Sequence, residues 1–398
     1  MGKLVVHQDK IKDINAVIDV CPFGAMEDNG GKLEINAACK LCKLCTKKFP
    51  DVMEFVEEKQ GVAVDKSKWK GITVYVDHVG GRIHPVTFEL IGKARELAAK
   101  INHPVYALFI GKDIEDKAEE ILHYGVDKVF VADDPALESF NIETYANVFS
   151  RFVNKVQPTA LLVGATPVGR QLAPRVASRF KTGLTADCTI LDMQKDTDLV
   201  QIRPAFGGNI MAEIHTPRTR PQMATVRYKI MEAPKRQAEA MGEIEKLEVK
   251  PEDLKTNIEV LSVTAKPKET SIENADVLVV AGRGVKKKED LAQLKELADL
   301  LGGEVACTRP LVEAGWMDAK HQIGLSGRTV RPKLIITCGV SGAIQFVAGM
   351  DHSDLIFAIN SDPKASIFKV ANYAVIGDLY EIVPALIARI KEGGSIHE

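Results

Sequence analysis

The chain of 398 residues is long enough for two or three domains, each with its own core. Its 52 Lys and Arg against 54 Asp and Glu leave a formal net charge of −2, which argues against a nucleic-acid or anionic-membrane partner. The opening residues MGKLVVHQDK lack the apolar stretch of a signal peptide, and no later segment approaches the roughly 18 uninterrupted apolar residues of a membrane span, so a cytoplasmic protein is expected.

Residues 1–67 are short-period, rich in Gly and Lys, and carry four of the seven cysteines. A segment of that size builds a weak core without a staple, which a metal site would supply. Cys39, Cys42 and Cys45 stand at intervals of three in ACKLCKLCTKKFP, and the rhythm predicts a fourth cysteine before Pro50, where Phe49 stands. In two-cluster ferredoxins each motif sends its fourth cysteine to the other cluster. The fourth ligand for this triplet is therefore the earlier Cys21, followed by Pro22. Counting back from Cys21 at the same spacing gives Ile11, Ile14 and Val17, so every ligand position of a second cluster is apolar. The pattern predicts a ferredoxin-like domain with one 4Fe-4S cluster on Cys21, Cys39, Cys42 and Cys45. Tetrahedral zinc on the same four thiolates is the competing reading, although zinc sites usually present two close cysteine pairs. Cys188, Cys307 and Cys338 are scattered singly and read as buried core residues.

From Gly71 apolar runs alternate with helical segments: ITVYVD, VTFELIGKARELAAKI, PVYALFIG, IEDKAEEILHYG, DKVFVAD, YANVFSRFVNKV, TALLVGA, and a segment from about Pro167. Short strands alternating with helices of ten or more residues imply βαβ units and a parallel sheet, here over residues 68–231. Residues 232–270 turn charged and Pro-containing and read as a linker, or an arm lying on a partner. The α/β pattern restarts over 271–398 with ADVLVVAGRG, a helix through KEDLAQLKELADLLG, strand KLIITCG, helix SGAIQFVAG, strands DLIFAIN and YAVIG, and a last helix from Asp378. The expected fold class is thus α/β, with two doubly wound parallel-sheet domains behind a small iron-sulfur domain.

In the last region VVAGRGVKKK joins a strand to a helix, and Arg283 adds charge to its Gly-rich turn, but the full dinucleotide fingerprint is absent. CGVSGAIQFVAGM places Gly339, Ser341 and Gly342 before a helix whose free amides suit an anion. LSGR, residues 325–328, adds a hydroxyl and a guanidinium in a loop that no core requirement explains.

The run LIITCGVSGAIQFVAGMDHSDLIFAINSDPKASIFKVANYAVIGDLYEIVP resembles the C-terminal signature of the electron-transfer flavoprotein α subunit. AGRG, CTRPLVEAGW and HQIGLSGRTVRP match its upstream blocks in order, and LLVGATPVGRQLAPRVASRFKTGLTADCT is similar to the family's first domain. The resemblance spans roughly residues 71–398. It implies FAD in the second α/β domain and a β-subunit partner packed on the first. By motif, Arg283 and Ser341, Gly342, Ala343, Ile344 and Gln345 would hold the pyrophosphate and ribityl region. Thr308 and Arg309 would contact the flavin, with Arg309 near the isoalloxazine. Ser326 would bond flavin N5 within the block Ile323, Gly324, Leu325, Ser326, Gly327 and Arg328. Asn360 belongs to the AIN motif, and Asp378 with Leu379 lies near the adenine. A cation beside the ring would raise its reduction potential by stabilising the negative charge of the reduced form. Phe346 stands where the family usually has His, and Leu325 where a polar residue is common.

An added cluster domain resembles the flavoproteins of electron-bifurcating complexes with acyl-CoA reductases or lactate dehydrogenases. That resemblance implies NADH, ferredoxin and an acyl-CoA dehydrogenase- or reductase-like partner, with an enoyl-CoA reductase, of the caffeoyl-CoA type, as the preferred terminal enzyme. Such a chain would act as one subunit of an oxidoreductase, not catalyse alone, and none of its own residues is assigned a catalytic role. The alternatives are a non-bifurcating carrier, for instance to lactate dehydrogenase, with a structural cluster, or a scaffold that holds a complex together. A free-standing NAD-dependent dehydrogenase is disfavoured by the missing Gly fingerprint.

Overall fold

The computed structural model describes residues 2–36, 38–57, 64–205, 210–264 and 271–393. Two compact units emerge, Met1–Val64 and Asp65–Glu398. Among the described residues no helix is long and apolar enough to cross a membrane.

The first unit pairs β1 (Gly2–Val6), antiparallel, with the later strand Met53–Glu57, and contains helix α1 (Ile14–Ile18). The short strands β2 (Met26–Asp28) and β3 (Leu33–Ile35) form an antiparallel hairpin, followed by helix α2 (Leu44–Lys48) and then Met53–Glu57 as β4. Asp13 starts α1 by accepting the N–H groups of Asn15 and Ala16, the usual work of an N-cap carboxylate. Val17, Met26, Leu33, Cys45, Val52 and Met53 are buried together, with Ile11, Ile14 and Phe49 packed against them. The four apolar residues standing at the second cluster's ligand positions therefore fill one core.

Among the described residues the second unit contains two parallel sheets, with a small antiparallel sheet and a short hairpin beside them. The first is built from β5 (Ile72–Tyr75), α3 (Val86–Ile101), β6 (Val105–Gly111), α4 (Glu115–Leu122), β7 (Lys128–Asp133), α5 (Ile142–Val156), β8 (Ala160–Gly164), α6 (Gly169–Phe180) and β9 (Leu184–Cys188). An antiparallel excursion follows, β10 (Ile190–Met193), β11 (Leu199–Ala205) and β12 (Ile210–Ile214), before β13 (Gln222–Val226) returns to the sheet. The edge strand β14 (Glu243–Lys246) completes seven strands in the order β9-β13-β8-β5-β6-β7-β14, all parallel. Strand residues such as Ile72, Val74, Phe109, Leu161 and Leu162 are fully buried because helices cover both faces, which is why these strands read as continuous apolar runs. The segment 232–270, expected as a linker or arm, supplies β14; its residues 265–270 lie outside the described set.

The second sheet comprises β15 (Val277–Ala281), α7 (Leu291–Leu300), β16 (Glu304–Cys307), α8 (Arg309–Glu313), β17 (Leu334–Cys338), α9 (Ile344–Val347), β18 (Ile356–Asn360), β19 (Tyr373–Ile376) and α10 (Leu379–Lys391). Its order is β16-β15-β17-β18-β19, again all parallel. The chain winds outward from β15 to β16 and then restarts on the other side at β17. The switch point therefore lies between the C-terminal ends of β15 and β17, where open α/β sheets bind ligands.

Candidate functional site: a switch-point cavity and a four-cysteine pocket

At that switch point the two strand ends come very close. A Cβ on Gly282, just after β15, would run into the carbonyl of Gly339, just after β17, and Gly339 itself has φ of 65°. Only glycine tolerates both demands cheaply. The chains diverge beyond this crossing and leave a cavity of about 910 Å³, within the usual range for cofactor pockets. Its wall is assembled from four of the five strand ends on that side: Arg283 and Gly284 after β15, Thr308 and Arg309 after β16, Gly339 to Ser341 after β17, and Asn360 and Asp362 at β18.

Twelve of the residues expected from sequence line this cavity: Arg283, Thr308, Arg309, Ile323, Gly324, Leu325, Ser326, Ser341, Ala343, Gln345, Phe346 and Asn360. Six lie outside its wall, each for a local reason. Gly327 closes the turn beneath the loop by donating to the Gly324 carbonyl at 3.0 Å. Arg328 is drawn to Glu273 at 3.1 Å. Gly342 packs its bare α-carbon on the backbone of Ile367. Ile344 is exposed, Leu379 is in the core, and Asp378 caps α10 by accepting the Tyr380 N–H at 2.9 Å. Gln322, Asp362, Lys364 and Ser366 also line the cavity and were not anticipated. The cue available for Lys364 was a basic residue in the polar turn after the AIN strand; Gln322 carried none.

The polar groups are organised before any ligand is considered. Gln322 Nε2 donates to Ser326 Oγ at 2.8 Å and orients the hydroxyl. Asn360 Nδ2 donates to the Val340 carbonyl at 2.7 Å, while its Oδ1 accepts the Asp362 N–H at 2.9 Å, so one side chain ties two strand ends together. Arg283, Arg309 and Lys364 face a single carboxylate, Asp362, which leaves the wall cationic. Arg309 pairs with Glu313 at 2.8 Å on the exposed side of α8. An exposed pair at this helical spacing is worth only ~0.3–0.5 kcal/mol, so an anionic ligand competes for Arg309 easily. The first amides of α9 lack intrahelical partners, as at any helix start. A cationic, amide-bearing cavity of this volume at a switch point fits a flavin dinucleotide. Phe346 is buried among Ile323, Val330, Val340 and Met350 as well as facing the cavity.

In the first unit Cys21, Cys39, Cys42 and Cys45 line one small pocket with Val20, Pro22, Phe23, Lys40 and Lys43. Leu41 and Lys43, on either side of Cys42, adopt left-handed φ values of 51° and 61°. Two such non-glycine residues cost roughly 1–2 kcal/mol each. Ala25 N–H donates to Cys21 Sγ at 3.3 Å. Burial pushes the Cys45 thiol up, the Thr46 amide works against that, and the proximity of Cys39 and Cys42 adds to the rise. Among the described residues no group of three or more His, Cys, Asp or Glu is closed enough to hold a metal ion as it stands. Four thiols on one pocket are the donor chemistry that a thiolate-bound centre takes, and they would have to draw closer to hold one. Cys188, Cys307 and Cys338 are buried, and burial pushes all three thiols up to about 12, as inert core residues require.

Two family models match this chain: the electron transfer flavoprotein domain over residues 72–252, and the electron transfer flavoprotein FAD-binding domain over residues 271–351. The first unit lies outside both. The chain is 57% identical over 389 residues to the lactate dehydrogenase (NAD(+),ferredoxin) subunit LctC of Acetobacterium woodii, an alignment covering 98% of this chain and 93% of that protein. It is 46% identical to the electron transfer flavoprotein subunit alpha of Megasphaera elsdenii, covering 83% of this chain and 98% of that one. It is 38% identical to the acryloyl-CoA reductase electron transfer subunit beta of Anaerotignum propionicum, covering 83% and 98%. With its two parallel sheets, its FAD-binding domain and these relatives, the chain belongs to the electron-transfer flavoprotein α-subunit family.

Proposed function

We propose that this chain is the FAD- and iron-sulfur-containing α subunit of a bifurcating oxidoreductase, dividing an electron pair between ferredoxin and a second partner at the expense of NADH or its reverse. The observation that carries the reading is the four-cysteine pocket in a unit outside both family models, on a chain whose FAD-binding half is complete without it. Bound FAD would supply one- and two-electron chemistry at the switch-point cavity, and a 4Fe-4S cluster one-electron chemistry in the first unit.

The chain's own residues bind and orient. Gly282 and Gly339 let the strand ends approach, and Gln322 aims the Ser326 hydroxyl; with FAD bound, Arg283 and Lys364 would neutralise phosphate and Arg309 would exchange Glu313 for the flavin. Cys21, Cys39, Cys42 and Cys45 are the proposed cluster ligands. A β subunit would pack on the first α/β domain.

For the terminal partner, the 57% identity to the lactate dehydrogenase subunit over nearly the whole chain, N-terminal unit included, favours a 2-hydroxy-acid dehydrogenase over the enoyl-CoA reductase preferred from sequence. The 38% identity to the acryloyl-CoA reductase subunit keeps an enoyl-CoA reductase as the second reading. The test is anaerobic co-purification with the β subunit, iron and sulfide analysis, and absorption and EPR spectra before and after NADH. Ferredoxin-coupled turnover is then measured with lactate and with an enoyl-CoA. A reducible cluster and ferredoxin-dependent lactate turnover are expected. Zinc, or a cluster that never changes redox state, would leave a stapled electron carrier instead.

A further inference from the structure

The loop 322–328, with Ser326 on it, is held from an unexpected direction. Arg227 follows the last residue of β13 in the first sheet, and its Nη2 donates to the Leu325 carbonyl at 2.7 Å and to Asp187 Oδ2 at 2.9 Å. Both side chains are largely buried, at 17% and 16% exposure. Asp187 sits at an irregularity in the pairing of β9 with β13, with φ of 57°. Its N–H is held by Thr225 Oγ1 at 3.0 Å and its Oδ1 faces Arg170 Nη2 at 3.0 Å. Asp187 is thus held through its backbone N–H and by ion pairs from Arg170 and Arg227 to its two carboxylate oxygens, and its Oδ2 in turn accepts from Arg227.

The contact matters because of what surrounds the loop. Leu325 and Ser326 form a wall between the 910 Å³ cavity and a second one of about 280 Å³, lined also by Thr189, Arg203 and Arg227. A segment with a cavity on each side has little packing to place it, so hydrogen bonds decide where it sits. The Leu325 N–H is held within the FAD-binding domain by the Gln345 carbonyl at 2.9 Å. Its carbonyl is held only from the first domain, among the contacts described. The peptide between Leu325 and Ser326 is therefore oriented by Arg227.

We propose that Arg227, aimed by Asp187, is a positioning residue that sets the flavin-facing loop and hence the Ser326 hydroxyl. This rests in part on the reading of Ser326 as a flavin contact, and the experiment separates the two. In the FAD-loaded full chain, Arg227→Ala and Arg227→Lys are compared with the parent by hydrogen exchange over 322–328, flavin absorption and midpoint potential. Loss of a charge-assisted bond is worth about a tenfold change in an equilibrium. Arg227→Ala is expected to exchange about tenfold faster in this segment alone and to shift the flavin spectrum and potential. Arg227→Lys is expected to recover part of the protection, because one ammonium replaces a planar fork that serves two acceptors. It carries the test if the alanine variant fails to fold. Parental exchange over 322–328 in the variants overturns the proposal. Faster exchange with an unchanged spectrum and potential preserves the clamp and refutes the role given to Ser326.

Discussion

Glu89 on α3 offers a prediction whose size can be worked from the structure. Glu89 is 8% exposed, and its carboxylate accepts the Lys229 N–H at 2.9 and 3.2 Å, two residues beyond Arg227. Burial pushes its pKa from 4.5 up to about 7, against the pull of the Lys229 and Met231 amides and the charges of Lys229 and Arg331. Between those two pH values the folded chain keeps a proton that the unfolded chain has lost, so stability falls as pH rises through the window. At about 1.4 kcal/mol per pKa unit the ionised carboxylate costs the folded state about 3 kcal/mol above pH 7. Glu89→Gln removes the charge and keeps a carbonyl oxygen for the same amides. The variant should gain under about 1 kcal/mol over the parent at pH 5 and about 3 kcal/mol at pH 8. Urea unfolding of both proteins at the two pH values, followed by circular dichroism, measures the difference. A glutamine variant that loses equal stability at both would show that the ionised carboxylate holds the 229–231 segment, and would refute the reasoning.

Gly282→Ala forces the ends of β15 and β17 apart, an overpacking worth about 1–3 kcal/mol, and should weaken FAD affinity tenfold or more, read by flavin release on dilution; parental affinity would mean the crossing does not shape the cavity. Phe346→His places an N–H donor at the cavity wall and should raise the first reduction potential by up to about 60 mV if the new bond is worth about 1.4 kcal/mol; superimposable redox titrations would sink the idea. Cys42→Ser should strip iron while leaving FAD bound, and full iron content in the variant would remove Cys42 from the ligand set.

Much of this architecture was legible in the residues. The apolar face of Val86–Ile101 and the uninterrupted runs at Val105–Gly111 and Val277–Ala281 declare their elements, because a helix or strand buried against a sheet must repeat its apolar positions. The cysteine spacing likewise named four residues that share one pocket, and the apolar residues at the vacant spacing share one core. β14 escaped such reasoning since it joins the sheet edge through its backbone while its side chains are charged, Glu245 meeting Lys128 at 2.9 Å and Lys155 at 2.6 Å, and a charged strand looks like a linker. Gln322, Asp362 and Lys364 entered the cavity only when the chain crossed over at the switch point, where turns distant in sequence become adjacent. The clamp between Arg227 and Leu325 joins residues 98 positions apart through a main-chain carbonyl. Every residue owns a carbonyl, so side-chain identity carries no trace of such a bond, and only tertiary structure decides which one the guanidinium finds.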